Sequence, residues 1–162
     1  MYNPKTIKYF QKPKYFGSIK NADAIGKAGN VLCGDFMILY LKIKKEKNRE
    51  IIKDIKFQTY GCLAAIATSS ALCEMVKGKT LEKALSITHQ EINNFLGGLP
   101  AIKMHCSLLA VDALKEAIYN YFKQTKKEIP KELEENHQRI LKEQKIIEEK
   151  LKQLTKNENE EK

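Results

Sequence analysis

Leu99-Pro100-Ala101-Ile102-Lys103-Met104-His105-Cys106-Ser107 sets a histidine and a cysteine side by side, just where an apolar-periodic helix begins. Pro100 biases Leu99 away from helical geometry. Leu108, Val111, Leu114, Ile118 and Tyr121 then recur at helical spacing. Cys106 is therefore expected in the first turn of a helix or at its cap. Unpaired N–H groups and the positive dipole end at that place favour a thiolate over a thiol. A thiolate beside an imidazole serves as a metal ligand or as a nucleophile, and the rest of the chain favours metal.

Upstream of this stretch, Gly97-Gly98 closes a helix expected from about His89 to Phe95, and Thr80 caps a shorter one reaching Leu85. Leu63 to Val76 is rich in Ala and Ser, a helix poor in bulk that suits close packing on a sheet, with Gly78 as its stop. Two strands precede it. In the first, Phe36, Ile38, Tyr40 and Lys42 alternate with Met37, Leu39, Leu41 and Ile43. Both faces are partly apolar, so both are expected to be covered. The second runs from Ile51 to about Tyr60, and Lys45 to Glu50 reads as the hairpin turn between them. Pro13, Gly17, Gly26 and Gly29 mark a loop-rich region, preceded by a short helix from Tyr2 to Gln11.

A chain of 162 residues has room for one domain with a real core. No apolar run approaches the roughly 20 residues needed to cross a bilayer. The N-terminus lacks the apolar stretch of a secretory signal, so a cytoplasmic protein without a membrane partner is expected. The net charge of +9 comes from lysines spread along the whole chain, with Arg49 the one arginine before the C-terminal segment. No nucleic-acid-binding signature accompanies them. The excess reads as a solvated surface that steers acidic partner proteins.

Beyond Thr125 the composition turns to Glu, Lys and Gln, which sets a domain of residues 1–125 apart from a charged extension of residues 126–162. Leu133, Ile140, Ile147 and Leu154 recur every seven residues with Leu151 on the same seam, while His137 and Gln144 interrupt it. An appended helix is expected, docked on the body or paired with another copy, fading before Lys162. His89 and His137 are read as surface residues.

Four cysteines without an export signal point to metal or catalytic thiols rather than disulfides. Cys33 lies in Cys33-Gly34-Asp35 before the first predicted strand, and Gly34 lets the backbone turn so that Cys33 and Asp35 face one point. Cys62 follows Thr59-Tyr60-Gly61, where a strand hands over to a helix. With Cys106, three cysteines thus sit at element junctions, two of them helix starts. Cys73 falls mid-helix, about 16 Å along the axis from Cys62 at 1.5 Å per residue, and is read as core. Three thiolates with Asp35 or His105 completing the set would bind zinc tetrahedrally or hold an iron–sulfur cluster. A carboxylate or imidazole suits cluster iron less well than a fourth cysteine, so such a cluster would be easier to release. A Cys106–His105 nucleophilic dyad is the competing reading.

These residues resemble the iron–sulfur cluster assembly scaffolds of the IscU type, also found as the N-terminal part of NifU. The resemblance is carried by Lys12-Pro13 with Gly17, by Cys33-Gly34-Asp35, by Thr59-Tyr60-Gly61-Cys62 with Ala65-Ile66-Ala67 and Ser69-Ser70, by Lys77-Gly78-Lys79 with Leu81, and by Leu99 to Ser107. It implies an α+β fold, a small antiparallel sheet covered on one side by helices, here with an appended C-terminal helix. It implies a 2Fe–2S cluster or iron held at Cys33, Asp35, Cys62, His105 and Cys106, with zinc in the cluster-free form and Lys103 as alternative ligand or tuning charge. The implied role is a scaffold rather than a conventional enzyme. Sulfur arrives from a cysteine desulfurase, with Cys106 as persulfide acceptor, and the finished cluster passes to apo-proteins. The family's segment for an Hsp70-type chaperone corresponds to Leu99, Pro100, Ala101, Ile102 and Lys103, with alanine replacing its second proline. Tyr2 is placed like an N-terminal tyrosine of dimer contacts, and a homo-oligomer is expected. Leu63 stands where glycine is common after the second cysteine. The alternative is the branch of zinc-binding sulfur acceptors that activate a desulfurase without carrying a cluster. That branch typically has an insertion between the second and third cysteines and lacks the histidine, whereas this chain has His105.

Overall fold

A computed structural model describes residues 1–29 and 34–160. Cys33, the first of the expected sulfur ligands, lies outside the described residues. The order of elements is α1 (Pro4–Gln11), β1 (Ala24–Gly29), β2 (Phe36–Glu46), β3 (Arg49–Tyr60), α2 (Leu63–Val76), α3 (Leu81–Leu85), α4 (His89–Phe95), a single 3₁₀ turn (Ala101–Lys103), α5 (His105–Gln124) and α6 (Lys131–Glu160). The fold is α+β, with an antiparallel sheet in the order β1-β2-β3.

The hairpin between β2 and β3 turns on Lys47 and Asn48, both at positive φ (47° and 63°). That left-handed pair matches the strand twist in a two-residue turn. Alternation then directs Met37, Leu39 and Leu41 of β2 and Ile55 and Phe57 of β3 to one face, and a register shift at Lys42–Ile43, where Asp54 and then Ile52 are the partners, returns Ile52 to that face; all of them are fully buried. Leu72 of α2 and Leu114 and Ile118 of α5 complete that core. Each such side chain contributes about 1.5–3 kcal/mol on removal from water.

The other face of the sheet stays partly open, contrary to the reading of β2 as covered on both sides. Ile25 is 40% exposed, Phe36 39% and Tyr60 85%. The region read as loop-rich contains β1, whose inward residues Ala24, Gly26 and Ala28 are too small to give an apolar alternation. Their smallness is structural. A Cβ at Gly26 would lie 2.2 Å from the Ala113 carbonyl oxygen and 2.4 Å from the Ala117 nitrogen, so α5 rests directly on β1.

Helix α6 docks on α5 through its first half. Leu133 and Ile140 are buried, and Arg139 donates to Asp112 at 2.7 Å. His137 is no surface residue. Its Nδ1 lies 2.7 Å from Glu116 Oε1, and its ring stacks on Tyr119 with centroids 3.8 Å apart. The residue that interrupts the heptad is thus one of the docking contacts. The helix runs on to Glu160, with Leu151 and Leu154 exposed. Among the described residues no helix is long and apolar enough to cross a membrane.

Gly26→Ala forces a methyl group into the backbone of α5. A loss of about 3 kcal/mol or more is expected, read as a lower urea midpoint. An unchanged midpoint would contradict the direct contact of β1 with α5.

Candidate metal centre

The site is assembled where β2 begins, β3 ends, and α2 and α5 start. Phe36 pairs with Tyr60 at the end of the β2–β3 ladder, and Thr59 Oγ1 donates to the Phe36 carbonyl at 2.6 Å. This pairing sets Asp35 beside Gly61. A Cβ at Gly61 would stand 3.1 Å from Asp35 Cγ and 2.7 Å from Ala65 Cβ, so the absent side chain makes the room that the carboxylate occupies.

Cys62 is the N-cap of α2, and its sulfur makes no capping bond. Cys106 is the second residue of α5, whose N-cap Met104 also provides no side-chain cap. The two starts are held together by Ala64, Ala65 and Cys106, which share a small buried cluster flanked by Tyr2, Cys62 and Leu99. Thr68 of α2 donates to the Cys106 carbonyl at 3.3 Å and to the Ala64 carbonyl at 2.8 Å, tying one helix to the other.

The two sulfurs lie 3.7 Å apart. Asp35 Oδ2 is 3.7 Å from each of them, and His105 Nε2 is 3.6 Å from Cys106 Sγ. Sulfurs bound at about 2.3 Å to one tetrahedral ion stand about 3.7 Å from each other. The donors of Asp35, His105 and Cys106 all fall within 4.8 Å of one another, the geometry of a shared ion. Asp35 and Cys106 are buried, at 7% and 1% exposure, while Cys62 and His105 reach the surface in part.

Lys103, in the 3₁₀ turn, extends toward this cluster. The Cys62 thiolate beside it holds its ammonium above the ordinary lysine range, with smaller contributions from Tyr2 and Cys106. Burial, followed by the charge of Cys62, pushes the Tyr2 phenol up. Tyr2, expected from the resemblance at dimer contacts, is thus a neighbour of the site, a position that the residue pattern alone did not indicate. Cys73 is fully buried in the middle of α2, and burial pushes its thiol up.

A family model for the NifU-like N-terminal domain matches residues 1–128. The chain belongs to that family. It is 53% identical over 127 residues to the iron–sulfur cluster assembly scaffold protein IscU 1 of Archaeoglobus fulgidus, covering 78% of this chain and 80% of the relative. It is 42% identical over 120 residues to the scaffold protein IscU of Aquifex aeolicus, covering 74% and 75% respectively. The crystal structure of a protein assigned as a SUF-system assembly scaffold from Fervidobacterium islandicum superposes with a TM-score of 0.57 at 25% identity, covering 72% of this chain and 96% of that one. Helix α6 lies beyond the matched domain.

Gly61→Ala pushes Asp35 and the start of α2 apart. About 10–100-fold weaker cobalt(II) binding is expected, followed by the d–d absorption of the tetrahedral ion, with the far-UV circular dichroism retained. Wild-type affinity in this variant would contradict the packing of Asp35 against Gly61.

Proposed function

We propose that this protein is a scaffold on which a 2Fe–2S cluster is built and from which it is released to apo-proteins. The observation that carries the reading is the meeting of Cys62, Cys106, Asp35 and His105 donors at 3.6–3.7 Å at the partly open edge of a domain related to named assembly scaffolds.

On this reading iron and sulfur are the cargo. Cys33, Cys62 and Cys106 supply thiolates, and Asp35 and His105 compete for the remaining position. Cys106 accepts sulfur from a cysteine desulfurase. Its thiolate attacks the outer sulfur of the donor's persulfide, the donor's S–S bond breaks, and the donor cysteine leaves as a thiolate. Lys103 supplies a positive charge beside Cys62 that eases the crowding of anions. Asp35, a hard oxygen donor among soft sulfurs, makes a weaker bond to cluster iron and so favours release. The exposed segment Ala101 and Ile102, continuous with Leu99, Pro100 and Lys103, is a surface for a chaperone of the Hsp70 type. The chemistry is assembly without turnover of a substrate, in the cytoplasm, by a homo-oligomer.

Anaerobic reconstitution with iron, sulfide and thiol is expected to give a coloured species with the absorption of a 2Fe–2S cluster. Colourless protein that retains only zinc would favour the alternative role of a zinc-binding sulfur acceptor that activates a desulfurase. Replacing Cys33, Cys62 or Cys106 by Ser is expected to abolish the cluster, and Cys73→Ala to preserve it. A requirement for Cys106 alone would indicate a thiol enzyme instead. Asp35→Ala is expected to slow cluster loss to a chelator severalfold, and faster loss would overturn the role given to this carboxylate.

A further inference from the structure

The donor cluster has a second way to shed its charge. When ionised, Cys62 and Cys106 set two negative sulfurs 3.7 Å apart, each of them 3.7 Å from Asp35 Oδ2. Cys106 is 1% exposed and Asp35 7%, so water screens this crowding poorly. A cation relieves it. Joining the two sulfurs relieves it too, because a disulfide carries no charge.

The helices are already in place for that bond. Ala64 and Ala65 of α2 pack with Cys106, and Thr68 donates to the Cys106 carbonyl at 3.3 Å. A disulfide is about 2.05 Å long, so the sulfurs need to close by about 1.7 Å, which is within reach of side-chain rotation. The Cys62 sulfur makes no capping bond to α2, so turning it toward Cys106 costs that helix no cap. Cys73 is fully buried in the middle of the same helix and takes no part.

We propose that the centre is a redox switch, in which a low-molecular-weight disulfide links Cys62 to Cys106 and so excludes the metal ion. This regulation rests on the reading of the site as a metal centre. Cys62, the more exposed of the pair, attacks one sulfur of the oxidant as a thiolate. The oxidant's S–S bond breaks and its first thiolate leaves. The Cys106 thiolate then attacks Cys62 Sγ in the mixed disulfide and displaces the second thiolate. Two electrons pass to the oxidant, and the protons of the two cysteines go to solvent. Two sulfur donors are withdrawn together, which leaves too few for a tetrahedral site. A bound ion engages the same sulfurs and opposes the first attack.

Anaerobic incubation of the reduced, metal-free full chain with oxidised glutathione tests this, followed by intact mass and peptide mapping. The expected product is lighter by two hydrogens, carries no glutathione, and yields a cross-linked peptide pair containing Cys62 and Cys106. Cys73→Ala should give the same link, and Cys106→Ser should stop at a glutathione adduct on Cys62. Preloading with zinc(II) should slow the reaction severalfold. Tetrahedral cobalt(II) absorption should be lost on oxidation and return with a thiol reductant. Thiols that stay reduced, a lasting glutathione adduct on the wild type, or a main product linked through Cys33 would each overturn the proposal, as would cobalt(II) binding unchanged by the link. A Cys62–Cys106 link in a chain that binds no cobalt(II) even when reduced would uphold the disulfide and overturn the metal reading instead.

Discussion

The closeness with which α5 lies on the sheet governs the rest of the structure. At Gly26 the strand presents no side chain at all, and the backbone of Ala113 and Ala117 fills the place that a methyl group would take. Across the same helix, Ala64 and Ala65 let α2 come near enough for Thr68 to reach the Cys106 carbonyl. Little hydrophobic surface is buried by such small residues. The gain comes from many dispersion contacts at short range and from the larger side chains of β2 and β3 that the close layers enclose. The same closeness brings two helix starts and the start of β2 to one point.

That point is electrostatically unbalanced by construction. When ionised, two thiolates and a carboxylate stand within 3.7 Å of each other, in a setting where Asp35 and Cys106 have little access to water. Mutual repulsion at such distances is relieved by the helix N-termini, by Lys103, and most completely by a bound cation. A carboxylate given room by Gly61, two helix starts without side-chain caps and a lysine beside Cys62 thus form one arrangement, with the donor chemistry to hold a cation.

Much of this was legible in the sequence, wherever the signal was a local pattern. Alternation in Phe36–Ile43 marked β2. The Ala and Ser run marked α2, and Thr80 marked the cap of α3. Junction cysteines separated Cys62 and Cys106 from Cys73. The misreadings have a common cause, in that tertiary contact gave small or polar residues a role that they lack alone. β1 is built on Ala24, Gly26 and Ala28, whose value is the absence of bulk against α5, and sequence alone reads such residues as a loop. His137 breaks an apolar heptad yet docks by stacking on Tyr119 and bonding Glu116. The outer face of β2 carries apolar side chains without a covering layer, which alternation by itself does not distinguish from a buried face.

We propose that Cys62 and Cys106, with Cys33 as the third thiolate, hold a single ion together with one oxygen or nitrogen donor from Asp35 or His105. X-ray absorption at the zinc edge of stoichiometrically loaded protein measures that donor set directly. A shell of three sulfurs at about 2.3 Å and one lighter donor at about 2.0 Å is expected. A shell dominated by nitrogen and oxygen, with one sulfur or none, would contradict it.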